Sequence, residues 1–194
     1  MSSRNSILAA LRENQPEFSV LPDLNGPISV ETDPAEKFKT LATAIGSRIF
    51  EVSNFDQIIE VITKQFSSPA RIISSFQELA AISETDIKGI NPHLLEDTEL
   101  AILKAQLGVA ENGSMWVPEL NMMERALPFI CQHLALVVNK KDIVSNMHEA
   151  YQILGTSNTG FGAFIAGPSK TADIEQSLVL GAHGPRSMTV FIMS

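Results

Sequence analysis

Residues 134–138 read Leu-Ala-Leu-Val-Val. A strand made of such a run has no polar side to turn towards water, so both its faces must be covered. Parallel sheets with crossover helices on each face meet that demand. The spacing of the rest agrees. Residues 48–52, 71–74, 161–166 and 188–193 form further short strand candidates, and helical patterns fall between them. The expected fold is α/β: an open, mostly parallel sheet flanked by helices.

The helix signals are local and readable. Asp33 suits an N-cap, Pro34 the first turn, and Glu36 follows three residues after the cap. Phe38, Leu41 and Ile45 then supply an apolar stripe, and Gly46 suits the stop. Ser53 is the expected cap of a second helix, whose face carries Phe55, Ile58 or Ile59, Ile62 and Phe66. Residues 83–98 read as a polar loop, and residues 100–107 and 109–117 as an apolar strand pair or a strand with an irregular entry. Helices are expected over residues 146–154 and 172–180, with a glycine-bearing loop over residues 155–160. At the start, residues 5–14 form a short helix with Ile7, Leu8 and Leu11 on one face, followed by a polar, proline-bearing connector. The expected organisation is an N-terminal helix and connector over residues 1–32 and a single α/β domain over residues 33–194.

Composition excludes several functions. The net charge is -8, from 14 basic and 22 acidic residues, without a basic run. Such a chain is a poor nucleic-acid binder. Cys131 is the one cysteine. It permits no internal disulfide and no cysteine-ligated zinc or iron–sulfur cluster within the chain. The polar start lacks a signal-peptide core, and no apolar run reaches bilayer length, so a cytoplasmic location off the membrane is expected.

Two segments carry candidate chemistry. In residues 167–185, Gly167 and Pro168 break a strand, Ser169 and Thr171 are cap candidates, and Asp173 and Glu175 lie where a helix dipole favours negative charge. A strand, a glycine loop and a helix start leave backbone N–H groups that can bind phosphate or carboxylate, and Lys170 adds a positive charge. The plainer reading is that these residues only cap the helix. The spacing is not that of a P-loop. His183, between glycines in a tight turn, is either a general acid or base or a turn residue bonded to backbone. Asp173, Glu175 and His183 match no standard metal spacing, and no metal site is expected.

The second segment is Ala110-Glu111-Asn112-Gly113-Ser114. It is either a hairpin corner or a strand end at which Glu111 faces a cleft as base, nucleophile or acceptor. Asn112 and Gly113 then belong to the ligand-binding set. His133 is expected to hydrogen-bond locally, Cys131 to fill core, and Trp116 to pack in the interior.

The 19 residues GPSKTADIEQSLVLGAHGP resemble the C-terminal signature of the LUD-domain family. AENGS resembles that family's central motif, and the stretch from Arg125 through His133 to Val138 its following block. Asn112 departs from the pattern, standing where Thr is expected. The resemblance implies a fold similar to the NagB/RpiA/CoA-transferase group and a part in oxidising L-lactate to pyruvate. It also implies partners carrying iron–sulfur clusters. The scarcity of cysteine matches the C-type member of the system rather than those partners. Glu111, Ser169, Thr171, Asp173, Glu175 and His183 are the matching positions.

No G-x-G-x-x-G fingerprint is present, so any redox cofactor is expected on a partner and none in this chain. The leading expectation is a subunit of a lactate-utilisation system that holds a small carboxylate or other anion at the loop beginning at Gly167. Glu111 and His183 would handle protons there. Two alternatives stay open: an assembly or regulatory subunit that binds without turnover, and a CoA or acyl transferase using Glu111.

Overall fold

Leu134, Leu136 and Val138 belong to one buried cluster, while Ala135 and Val137 belong to another. Side chains alternate across a strand, so this split places the central strand between two apolar layers. That is why the run is apolar without interruption. Each buried Leu or Val in it contributes about 1.5–3 kcal/mol over an exposed one.

A computed structural model describes residues 3–20, 33–66, 70–155, 160–171 and 179–194. The chain divides into two units, Met1–Val30 and Glu31–Ser194. In the first, helix α1 (Ser3–Glu13) buries none of its residues, and Ile7, Leu8 and Leu11 are exposed.

The second unit begins with α2 (Pro34–Ala44). Asp33 caps it by accepting the Glu36 N–H at 3.2 Å. Strand β1 (Ser47–Val52) leads to α3 (Phe55–Gln65). The cap of α3 is Asn54, which accepts the Gln57 N–H; Ser53 instead donates its N–H to Gln57. The one-residue error arises because either polar side chain suits that position. Strands β2 (Ile72–Ser74) and β3 (Leu100–Lys104) follow.

The apolar stretch over residues 100–117 holds three strands instead of the expected strand pair or single strand with an irregular entry. β3 runs parallel to its neighbours and stops at Lys104. Ala105 still donates its N–H to Val137, but Gln106 donates to Trp116, in a different sheet. The chain therefore changes sheets within two residues. It continues as β4 (Leu107–Val109) and β5 (Ser114–Pro118), which pair antiparallel. Two short helices, α4 (Glu119–Met122) and α5 (Leu127–Ile130), lead to β6 (His133–Asn139). Then come β7 (Ile143–Val144), α6 (Met147–Leu154) and β8 (Gly162–Ile165). The chain closes with β9 (Lys170–Thr171), β10 (Val179–Leu180) and β11 (Ser187–Met193).

The main sheet has the order β1-β11-β6-β3-β2, and every pairing in it is parallel. A second sheet, β7-β4-β5-β8, is mixed. One face of the main sheet packs with Ile58 and Ile62 of α3. The other packs with Phe38 and Ala42 of α2 and with Met115 and Val117 of the second sheet. The helix expected over residues 172–180 is not what the structure has at its end. Val179 and Leu180 pair antiparallel with Thr171 and Lys170 as a ribbon. The positions between them, with Asp173 and Glu175, lie outside the described residues.

Candidate functional site

Because the main sheet is wholly parallel, its strands all finish at one edge. Val52 pairs with Met193, Met193 with Asn139, and Lys104 lies two residues short of that row, opposite Val137. Open α/β sheets bind ligands in the crevice outside these carboxyl ends.

Two adjoining hollows open there, of about 690 and 550 Å³. Lys104, Leu120, Asn121 and Asn139 line both. The larger continues along Leu107, Val144, Ile153 and Leu154, with Lys141 and Asp142 on its polar side. The smaller is walled by Phe55 and Phe76, with Ser75, Gln77 and Glu78. A third hollow, of about 530 Å³, includes Asn139, Lys140 and Lys141.

Local bonds hold this edge in shape. Asn121 donates from Nδ2 to the Lys104 carbonyl at 3.0 Å, tying α4 to the end of β3. Ser75 Oγ accepts the Lys104 N–H at 3.1 Å, and Asn139 donates to Asp142 at 2.7 Å. The main chain of Lys104 is thus fixed while its side chain is exposed. Lys104, Lys140 and Lys141 gather positive charge on a chain of net charge -8. In these linings the three lysines outnumber the carboxylates of Asp142 and Glu78, and a local excess of one sign of charge concentrates ligands of the other.

The two segments singled out by sequence lie elsewhere. The structure brings them together, but against the end of α2. Gly113 has φ +70°, and a β-carbon there would stand 2.9 Å from Ala42 Cα and 3.2 Å from Ile45 Cδ1. At Gly167, φ is +72° and a β-carbon would meet the Ile45 carbonyl oxygen at 2.7 Å. Lys170 donates its ammonium group to that same carbonyl. Ser169 donates its N–H to Pro185 and its carbonyl accepts from Gly181, while Thr171 pairs with Val179. The Ser169 N–H is therefore engaged by the chain itself, while residues 172–178 of the expected helix start lie outside the described residues.

Glu111 lines none of these three hollows. It sits at an exposed corner between β4 and β5 and accepts the Met147 N–H at 2.9 Å, in the first turn of α6. Asn112 accepts from the Ser114 N–H at 3.0 Å and from its hydroxyl at 2.7 Å. The segment is a four-residue hairpin corner, from Ala110 to Gly113, closed by the Gly113 N–H on Val109. His183 is exposed, and nothing among the described residues links it to Glu111. The lining residues Lys104, Asn121, Asn139 and Lys141 carried no motif. Their signal was position: Lys104 closes the apolar run Leu-Ala-Ile-Leu, and Asn139 and Lys141 follow Leu-Ala-Leu-Val-Val.

The opposite edge of the sheet holds His133. Its Nδ1 is 2.7 Å from Ser187 Oγ, and its Nε2 is 3.5 Å from a Glu99 oxygen. Burial pushes its pKa down. The Cys131 thiol is buried and pushed up to about 12 by desolvation, as suits a core residue. Among the described residues no cluster of His, Cys, Asp and Glu could hold a metal ion, and no helix is long and apolar enough to cross a membrane.

A family model described as the LUD domain matches residues 76–193. That span includes Lys104, Asn121, Asn139 and Lys141. The chain is 32% identical over 101 residues to lactate utilization protein C of Bacillus pumilus, covering 49% of this chain and 42% of that protein. It is 29% identical over 105 residues to the protein of the same name from Geobacillus kaustophilus, covering 51% and 44%. These matches thus span less than half the length of those relatives. A similar protein from an Exiguobacterium species is 26% identical over 176 residues, or 80% of this chain and 75% of that one. Among solved structures, a DUF162 family protein from Deinococcus radiodurans shares the fold, with a TM-score of 0.63 at 15% identity over 83% of this chain and 96% of that one.

Proposed function

The chain belongs to the LUD-domain family, and from that premise we propose that it serves lactate utilisation as a ligand-holding subunit whose site is the cleft around Lys104. The relatives named for lactate utilisation support the system. The observation that carries the site is the meeting of Lys104, Asn121 and Asn139 where both hollows join. Ammonium and amide groups at the carboxyl ends of parallel strands suit an anionic ligand.

The cleft lining offers cations and amides but no histidine or cysteine. Its carboxylates are Asp142, bonded to Asn139, and Glu78. That chemistry favours holding a ligand over turning it over by itself. In this reading the electron acceptors, iron–sulfur clusters among them, reside on partner proteins. A transferase with Glu111 as nucleophile has less support, because that carboxylate anchors the start of α6.

Thermal shifts of the full chain with pyruvate, L-lactate or inorganic phosphate test the site. Stabilisation by these anions is expected to weaken in Lys104→Met and Lys141→Met. Equal stabilisation in both variants, or none in the parent chain, would remove the cleft from consideration. Affinity capture of the tagged chain tests the system, with cysteine-rich iron–sulfur proteins expected in the eluate.

A further inference from the structure

The ligand-holding cleft is larger and more varied than a three-carbon acid requires. Pockets of about 300–1,000 Å³ hold ligands of cofactor or drug size. Each of the two joined hollows falls in that range, at about 690 and 550 Å³. Their chemistry is also zoned. Phe55 and Phe76, half-buried with ring centroids 5.2 Å apart, wall the smaller hollow. Lys104 and Asn139 stand at the waist shared by both, and Lys141 lies just beyond in the larger. Glu78 shares the aromatic hollow.

We infer that the cleft accepts a nucleoside diphosphate, with its base in the Phe55–Phe76 hollow and its phosphates at Lys104 and Lys141. Aromatic walls take the flat, apolar faces of a base without demanding one sequence of hydrogen bonds. A carboxylate such as Glu78 can accept from ribose hydroxyls, as acidic residues do in other nucleotide sites. The lysines supply side-chain charge in place of the glycine-rich loop, which this chain lacks. This inference rests on the cleft being the ligand site.

The test is isothermal titration of the full chain with ADP, inorganic phosphate and pyruvate as separate probes. ADP is expected to bind at least on the order of tenfold more tightly than either small anion. Phe76→Leu should cost ADP roughly five- to tenfold in affinity, in keeping with the loss of one stacking partner, and leave phosphate unaffected. Lys104→Met should weaken both. The melting temperature of each variant without ligand separates loss of fold from loss of contact. The exposed Gln77→Ala serves as a second probe of the base end, with a smaller loss expected for ADP alone. ADP binding no better than phosphate overturns the inference while leaving the anion site standing. ADP binding that ignores both Phe76→Leu and Gln77→Ala also overturns it. If no probe binds, the site itself fails.

Discussion

The carbonyl oxygen of Ile45 occupies the place that a β-carbon on Gly167 would need, 2.7 Å away. Ile45 ends α2, and Gly167 opens the segment that leads into β9. The glycine is required twice over, by the contact and by a φ of +72°. Gly167→Ala is therefore expected to destabilise the domain by roughly 2–3 kcal/mol. Gly89 has a similar φ of +76° but no atom within 4 Å of the added carbon, so Gly89→Ala should cost only about 1–2 kcal/mol. Urea unfolding midpoints compare the two. Equal losses would mean that the approach of α2 contributes nothing.

Glu111 yields a sharper test because its two readings diverge. Its carboxylate accepts the Met147 N–H, while Asn146 accepts the Glu149 N–H and Glu149 accepts the Ser145 N–H. An orphan N–H at a helix N-terminus gains about 1 kcal/mol from such a partner. Glu111→Ala should lose about that much stability, and Glu111→Gln much less, since its amide oxygen still accepts. Neither change should alter anion binding at Lys104. A large loss of ligand affinity in Glu111→Gln, with stability intact, would return Glu111 to the site.

What the sequence made legible was mostly local. The Asp33 cap and the central strand could be read because a helix start and a doubly covered strand each leave a mark within a few residues. The site could not be read that way. Lys104 and Asn139 lie at neighbouring strand ends because β3 pairs with β6, and strand order has no signature in the intervening residues. The apolar stretch from residue 100 to residue 117 concealed the change of sheets at Ala105, since most of its residues are buried before and after that point although the flanking Lys104 and Gln106 are exposed. Gly113 and Gly167 were expected in the ligand-binding set, but a glycine admits a ligand and a helix end equally well. Here α2 is the neighbour. At Val179 and Leu180 a pattern compatible with a helix gave way to pairing with β9, a contact that propensity does not encode.

Arg71 organises the long segment between β2 and β3. Its Nε and Nη2 form a fork on the Glu84 carboxylate at 2.9 and 3.1 Å, and Nη1 donates to the Leu94 carbonyl and to Asp97. Those carboxylates, Glu84 first, push its pKa further up, so the charge is permanent. Hydrogen bonds to charged groups contribute about 1.5–3 kcal/mol. Arg71→Met should lower stability by roughly that amount, and Arg71→Lys by nearly as much, because an ammonium group cannot reproduce the fork. Limited proteolysis should show new cleavage within residues 83–98 in both variants, and an unchanged pattern would contradict the role.

His133 sets a pH dependence whose sign follows from its surroundings. Burial is the first cause of its lowered pKa, Arg48 and Arg186 act the same way, and Glu99 opposes them. The folded chain therefore favours the neutral ring, which pairs with Ser187 Oγ and meets the edge of Phe66 at 5.3 Å. The unfolded chain takes up a proton near the ordinary value of 6.5, before the folded chain does. This contribution to stability is complete above that value and is lost as pH falls from it towards the folded pKa. Carboxylates also act in acid, so the informative quantity is the difference between the parent chain and His133→Asn. That difference should shrink when urea unfolding is repeated at pH 5.5 instead of pH 7.5. A difference independent of pH would show that His133 titrates alike in the folded and unfolded chains.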